Sequence, residues 1–273
     1  MHLGIKKNKM TYFKNDHDNK GTYFEKSFSN STPTVFVHGV GLDNNMWYPQ
    51  KKKFKDESVI FYDILNHGKS KKGFRHLTFQ SFNEQLDNLL SFLEIKKINL
   101  VGFSIGALIA QHFSVLNIDK INKLVLIGSV YKRSKKQIEI IKNRYAKACK
   151  GESITEESIK RWFSELYLKQ NPKTYDFFHK LLESKKNNDF IPAYKVFVES
   201  DEIKLDFSKL NIPTLIMTGE KEIGSTPKMS EYLHQEIKNS ILYIIKDAKH
   251  GATVEKSEDV NNQLTKFLFN KKN

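Results

Sequence analysis

A serine between two glycines, a histidine before a glycine near the far end, and carboxylates between them could together perform nucleophilic acyl transfer. Gly102-Phe103-Ser104-Ile105-Gly106 has the form G-x-S-x-G and lies between a predicted strand and a predicted helix. In that setting the serine occupies a sharp turn that presents Oγ above a sheet, and the flanking positions must lack Cβ atoms. The helix that follows would direct free N–H groups and its positive end at developing negative charge.

The base such a serine needs is expected at His250, in Asp247-Ala248-Lys249-His250-Gly251, after the last predicted strand. Six other histidines (His2, His17, His76, His112, His179 and His234) read as residues of tails or helix surfaces, and His38 and His67 as occupants of tight turns. The orienting carboxylate is expected at Glu222, just past the strand Leu215-Ile216-Met217-Thr218, with Glu220 and Asp247 as alternatives. The order serine, acid, histidine along the chain fits this arrangement. A second Gly-rich turn, His38-Gly39-Val40-Gly41, ends an earlier apolar run. Backbone N–H groups of Val40 and Ile105 are the expected oxyanion donors.

Those residues need a scaffold. Residues 34–37, 59–62, 98–103, 123–127, 214–218 and 241–245 are short apolar runs, as in parallel strands covered on both faces. Between them, residues 78–93 carry apolar side chains at helical spacing behind Thr78 as N-cap, residues 106–116 form the next helix, and a closing helix is expected over 254–269. A hairpin is expected from 10–14 and 22–28 around a turn at 15–21. The alternation predicts an α/β protein with a mostly parallel sheet and helices on both faces. Residues 133–201 lack strand runs, so the expected division is a core of 1–132 and 202–273 with a helical insertion roofing the C-terminal edge of the sheet.

Composition narrows the partners. The 273 residues carry a formal net charge of +14, but the lysines are spread along the whole length without a recognition motif. A solvated surface is expected, not a nucleic-acid or membrane face. One cysteine, Cys149, leaves no internal disulfide, and no segment has the apolar length of a signal sequence or a span, so a soluble, cytoplasmic protein is expected.

Five segments resemble the α/β-hydrolase superfamily: FVHGVGLDNNMW at 36–47, DILNHGKS at 63–70, LVGFSIGA at 100–107, PTLIMTGEKEIGSTP at 213–227 and AKHGATVE at 248–255. The insertion is most similar to that of 3-oxoadipate enol-lactonases, through SITEESIKRWFSELYLKQNP at 153–172 and YKVFVESD at 194–201. The resemblance implies an eight-stranded sheet, a helical cap and a serine hydrolase that opens an ester or lactone of a small molecule without metal or organic cofactor; the alternatives are a generic carboxylesterase, a carbon–carbon bond hydrolase of the same fold, or a non-catalytic ligand receptor built on it. Trp162 and Phe163 of the insertion would then line the acyl pocket. Two departures stand out: Leu65-Asn66 where the family has Arg-Gly, and Glu222 where it has Asp.

Overall fold

The computed structural model describes residues 13–183 and 189–269. Eight strands form one sheet: β1 (Lys14–His17), β2 (Tyr23–Ser27), β3 (Thr34–Val37), β4 (Val59–Tyr62), β5 (Ile98–Phe103), β6 (Ile121–Ile127), β7 (Thr214–Gly219) and β8 (Ser240–Ile245). Their spatial order is β1-β2-β4-β3-β5-β6-β7-β8. Pairings among β4, β3, β5, β6, β7 and β8 are parallel, while β1–β2 and β2–β4 are antiparallel. This is the α/β-hydrolase fold, with the mostly parallel sheet that the apolar runs predict and the eight strands that the resemblance implies.

Helices α1 (Tyr48–Lys53), α2 (Phe79–Phe92), α3 (Ile105–Leu116), α4 (Lys135–Cys149), α5 (Thr155–Trp162), α6 (Glu165–Gln170), α7 (Pro172–Glu183), α8 (Ile191–Val198), α9 (Pro227–Glu236), α10 (Ala252–Glu255) and α11 (Ser257–Leu264) follow in chain order. Alternation along the central strands divides the core. Val35 and Val37 of β3 join Phe82, Leu86, Ile109, Phe113 and Leu233 on one face, under α2, α3 and α9. Phe36 faces the other way, into Trp47, Phe54, Val260 and Leu264. Period-two patterning with both faces buried is what a central parallel strand requires. Thr78 caps α2 as its sequence predicts, accepting from Ser81 N–H in a reciprocal capping box.

Three expectations are corrected. Residues 10–12 of the expected first strand lie outside the described ones, and Lys14–His17 form a strand where residues 15–17 were expected in the turn. All four of its residues are exposed, so no hydrophobic alternation marked it. The reversal is the tight turn Asp18–Gly21: Asp18 Oδ1 accepts from Lys20 and Thr22 N–H, and Gly21 takes φ 88°. The closing helix is broken at Lys256 into α10 and α11 and ends in a π turn over Thr265–Phe269. His112 is no surface residue: it is 7% exposed and stacks on Phe79 at 3.9 Å between ring centroids. Burial lowers its pKa to about 4.

Between β6 and β7 the described residues form helices and no strand, α4 to α8. Arg133 joins the two ends of this segment. Its Nε meets Asp201 Oδ2 at 2.5 Å and its Nη2 donates to the carbonyls of Phe197 and Val198. Among the described residues, no helix is long and apolar enough to cross a membrane.

Candidate active site

Ser104 follows the last residue of β5 and precedes the first of α3, at φ 57° and ψ −119°. This left-handed backbone is costly for a residue with a Cβ, and it persists because its surroundings hold it. Ser104 N–H donates to Ile127 C=O at 2.9 Å, and Ser104 C=O accepts from Ala107 N–H at 3.0 Å. The two glycines are demanded by space. A Cβ on Gly102 would stand 2.2 Å from Gly106 O, and one on Gly106 would stand 2.2 Å from Val37 O. Ile105 opens α3, so its N–H has no partner within the helix.

The turn after β3 is held by two histidines. His38 Nε2 accepts from Ile64 N–H at 3.0 Å while its Nδ1 lies 2.8 Å from Gly39 C=O. His67 Nε2 accepts from Gly41 N–H at 3.0 Å with Nδ1 2.9 Å from Leu65 C=O. Each ring therefore carries its proton on Nδ1, stays neutral, and stitches residues 38–41 to residues 64–67. Asn66 occupies φ 63° and exchanges two hydrogen bonds with the Phe74 backbone, so asparagine here satisfies a turn that glycine would otherwise fill.

His250 lies in the loop between β8 and α10. Its Nδ1 lies 2.6 Å from Glu222 Oε2 and 3.3 Å from Ser225 Oγ. Glu222 Oε1 accepts from Gly224 and Ser225 N–H at 2.5 and 3.3 Å, which fixes the carboxylate. Burial alone would raise the Glu222 pKa, but the His250 ring, Arg161 and the Gly224 N–H outweigh it and lower it to about 2. Burial lowers the His250 pKa below its ordinary 6.5 against the opposing pull of Glu222, and the positive charges of Arg161 and Arg144 lower it further. Of the alternatives, Glu220 accepts from Asp247 N–H, and Asp247 pairs with Lys221 at 2.6 Å; both are exposed.

A cavity of about 490 Å³ opens where these loops meet the helical segment. Ser104, His250 and Val40 line it, together with Trp162, Arg144, Arg161 and Tyr194 from α4, α5 and α8. Such a volume suits a small organic molecule. Of the expected aromatic pair, Trp162 lines the cavity but Phe163 does not. Phe163 is the extended residue after α5 and packs on Phe178 and Tyr167, so closely to Gly251 that a Cβ there would come within 2.4 Å of its ring. Gly251 N–H donates to Trp162 C=O at 2.7 Å, tying the end of α5 to the His250 loop.

Ser225, Arg144 and Arg161 at this site were not foreseen. Arg161 directly precedes the Trp162 already singled out, but its proximity to Glu222 (Nη1 to Oε1, 3.8 Å) arises only from the docking of α5. Among the described residues, no group of three or more histidine, cysteine or acidic side chains is placed to hold a metal ion.

A family model described as alpha/beta hydrolase fold matches residues 32–147. The chain is 27% identical over 248 residues to an (E)-2-((N-methylformamido)methylene)succinate hydrolase of Acinetobacter baylyi, covering 90% of this chain and 93% of the relative. It is 25% identical to 3-oxoadipate enol-lactonase 1 of the same organism, covering 84% and 85%. Among solved structures, the enol-lactonase from Burkholderia xenovorans superposes with a TM-score of 0.85 at 20% identity, covering 94% of this chain and all of that one. A bromoperoxidase from Bacillus anthracis reaches 0.81 at 24% identity, covering 94% and 100%, so the architecture is shared by enzymes with different names. By its sheet, its strand-turn-helix serine and these likenesses, the chain has the α/β-hydrolase fold.

Proposed function

We propose that this protein is a serine hydrolase that opens a carboxylic ester or lactone of a small molecule, with Ser104 as nucleophile, His250 as base and Glu222 as orienting acid. One observation carries the reading. A serine in a strained turn lines the same cavity as a buried histidine whose Nδ1 lies 2.6 Å from a fixed carboxylate.

In this scheme Glu222 keeps the proton of His250 on Nδ1, leaving Nε2 free to take the Ser104 proton as Oγ attacks the carbonyl carbon. The N–H groups of Val40 and Ile105 receive the oxyanion. The leaving alcohol or enol collects the proton from His250, and water activated by the same ring releases the acid. Burial suits the base, because a histidine held below 6.5 is neutral at physiological pH. Residues 133–201 act as a cap over the core of 1–132 and 202–273, and Trp162 contributes to the acyl pocket. The likeness to 3-oxoadipate enol-lactonase 1 supports a lactone or ester. The reaction draws on no cofactor, and the protein works in the cytoplasm without a nucleic-acid or membrane partner.

A fluorophosphonate probe followed by peptide mass spectrometry tests the assignment. It should modify Ser104 and no other residue, and intact protein that stays unlabelled would refute it.

A further inference from the structure

The cavity wall formed by α4 and α5 holds more positive charge than its neighbours neutralise. Arg144 and Arg161 both line it. The Nε of each is buried without a hydrogen-bond partner. Arg144 donates through Nη2 to Ser158 Oγ at 2.8 Å, and its nearest carboxylate, Glu157, lies 3.7 Å from Nε on a half-exposed side chain. Arg161 has Glu222 Oε1 at 3.8 Å, but that oxygen already accepts from two backbone N–H groups and its partner oxygen serves His250. Burial first, and then the Arg144 charge, lower the pKa of Arg161, and both arginines add to the burial that lowers that of His250.

Guanidinium nitrogens buried without partners are costly unless something supplies acceptors. Arg133, also in the wall, is met more fully: its Nε and Nη2 are taken up by Asp201, Ser200 and two carbonyls, and Nη1 alone is buried without a partner. Glu152 and Glu183 also line the cavity, and Glu183 accepts from Ser153 Oγ at 3.0 Å, so acidic groups reach the lining without pairing with Arg161.

We propose that Arg144 and Arg161 form a subsite for a carboxylate carried by the molecule whose ester or lactone bond is cleaved. The inference rests on the hydrolase reading and narrows it: the substrate is an anionic half-ester or a lactone acid. A planar guanidinium matches a carboxylate through paired N–H···O bonds, which a neutral substrate could not engage.

Monoethyl succinate and ethyl butyrate differ chiefly in that carboxylate, and their hydrolysis can be followed by proton release. The wild type should favour monoethyl succinate in kcat/KM by at least about tenfold, and Arg144→Gln or Arg161→Gln should each lower that ratio by about tenfold or more. Indifference of the wild type to the carboxylate, or a ratio that survives both substitutions, would overturn the subsite. Calorimetric binding of succinate to Ser104→Ala separates this inference from the hydrolase reading. Should neither ester be cleaved, binding that Arg161→Gln removes would uphold the subsite while the ester reading fell. Absence of succinate binding at millimolar concentration would count against the subsite itself.

Discussion

Glu222 reaches His250 from the loop after β7, with Oε2 2.6 Å from Nδ1 and Oε1 held by the Gly224 and Ser225 N–H groups. The carboxylate is thus clamped on one oxygen and offered to the ring on the other. Glutamate spans this gap with one methylene more than aspartate would have. Glu222→Gln, which keeps the shape and removes the charge, should lower kcat by about 10²- to 10⁴-fold with little change in KM. Glu222→Asp should fall between the two. Steady-state kinetics on any cleaved ester measures this, and a fully active Gln variant would remove Glu222 from the account.

The pH profile has a definite sign. Only the neutral imidazole can accept the Ser104 proton, so kcat/KM should rise with pH through the His250 pKa and then level off. Burial holds that pKa below 6.5, so the midpoint of the acid limb should lie below 6.5. Arg161→Gln removes a positive charge that lowers it further and should move the midpoint upward. A wild-type midpoint above 6.5 would contradict the buried environment.

Acid stability should depend on His112, far from the chemistry. In the unfolded chain it binds a proton near 6.5, while in the folded protein burial delays this to about pH 4. The unfolded state therefore holds more protons between these values, and stability falls as pH drops through that window. The loss attributable to His112 is at most about 3 kcal/mol. Denaturant titrations of wild type and His112→Phe at several pH values should show a shallower loss in the variant, and identical slopes would refute it.

The elbow glycines should tolerate no Cβ. Gly102→Ala and Gly106→Ala each place a methyl 2.2 Å from a backbone oxygen and should cost more than about 3 kcal/mol or prevent folding. Gly73→Ala, with φ 91° but nothing within 4 Å of the added atom, should cost only about 1–2 kcal/mol. Thermal unfolding of the three variants gives the comparison.

The parallel strands and the strand-turn-helix around Ser104 were legible because burial on both faces and the lack of Cβ at Gly102 and Gly106 leave marks on neighbouring residues. Glu222 and His250, which lie 2.6 Å apart, were legible as neighbours from their position after β7 and β8, a consequence of how an open parallel sheet gathers its loops at one edge. β1 was misplaced because an exposed edge strand needs no apolar alternation. His112 was misread since its partner Phe79 comes from another helix. Arg144, Arg161 and the divergence of Phe163 from Trp162 depend on how α4 and α5 dock against distant loops, and no local spacing encodes that.

Hydrolysis of p-nitrophenyl butyrate by wild type and Ser104→Ala, measured side by side, decides whether Ser104 is the nucleophile. Wild-type turnover should fall to the uncatalysed background in the variant, with folding unchanged by circular dichroism. A variant that retains the wild-type rate would contradict Ser104 as the nucleophile.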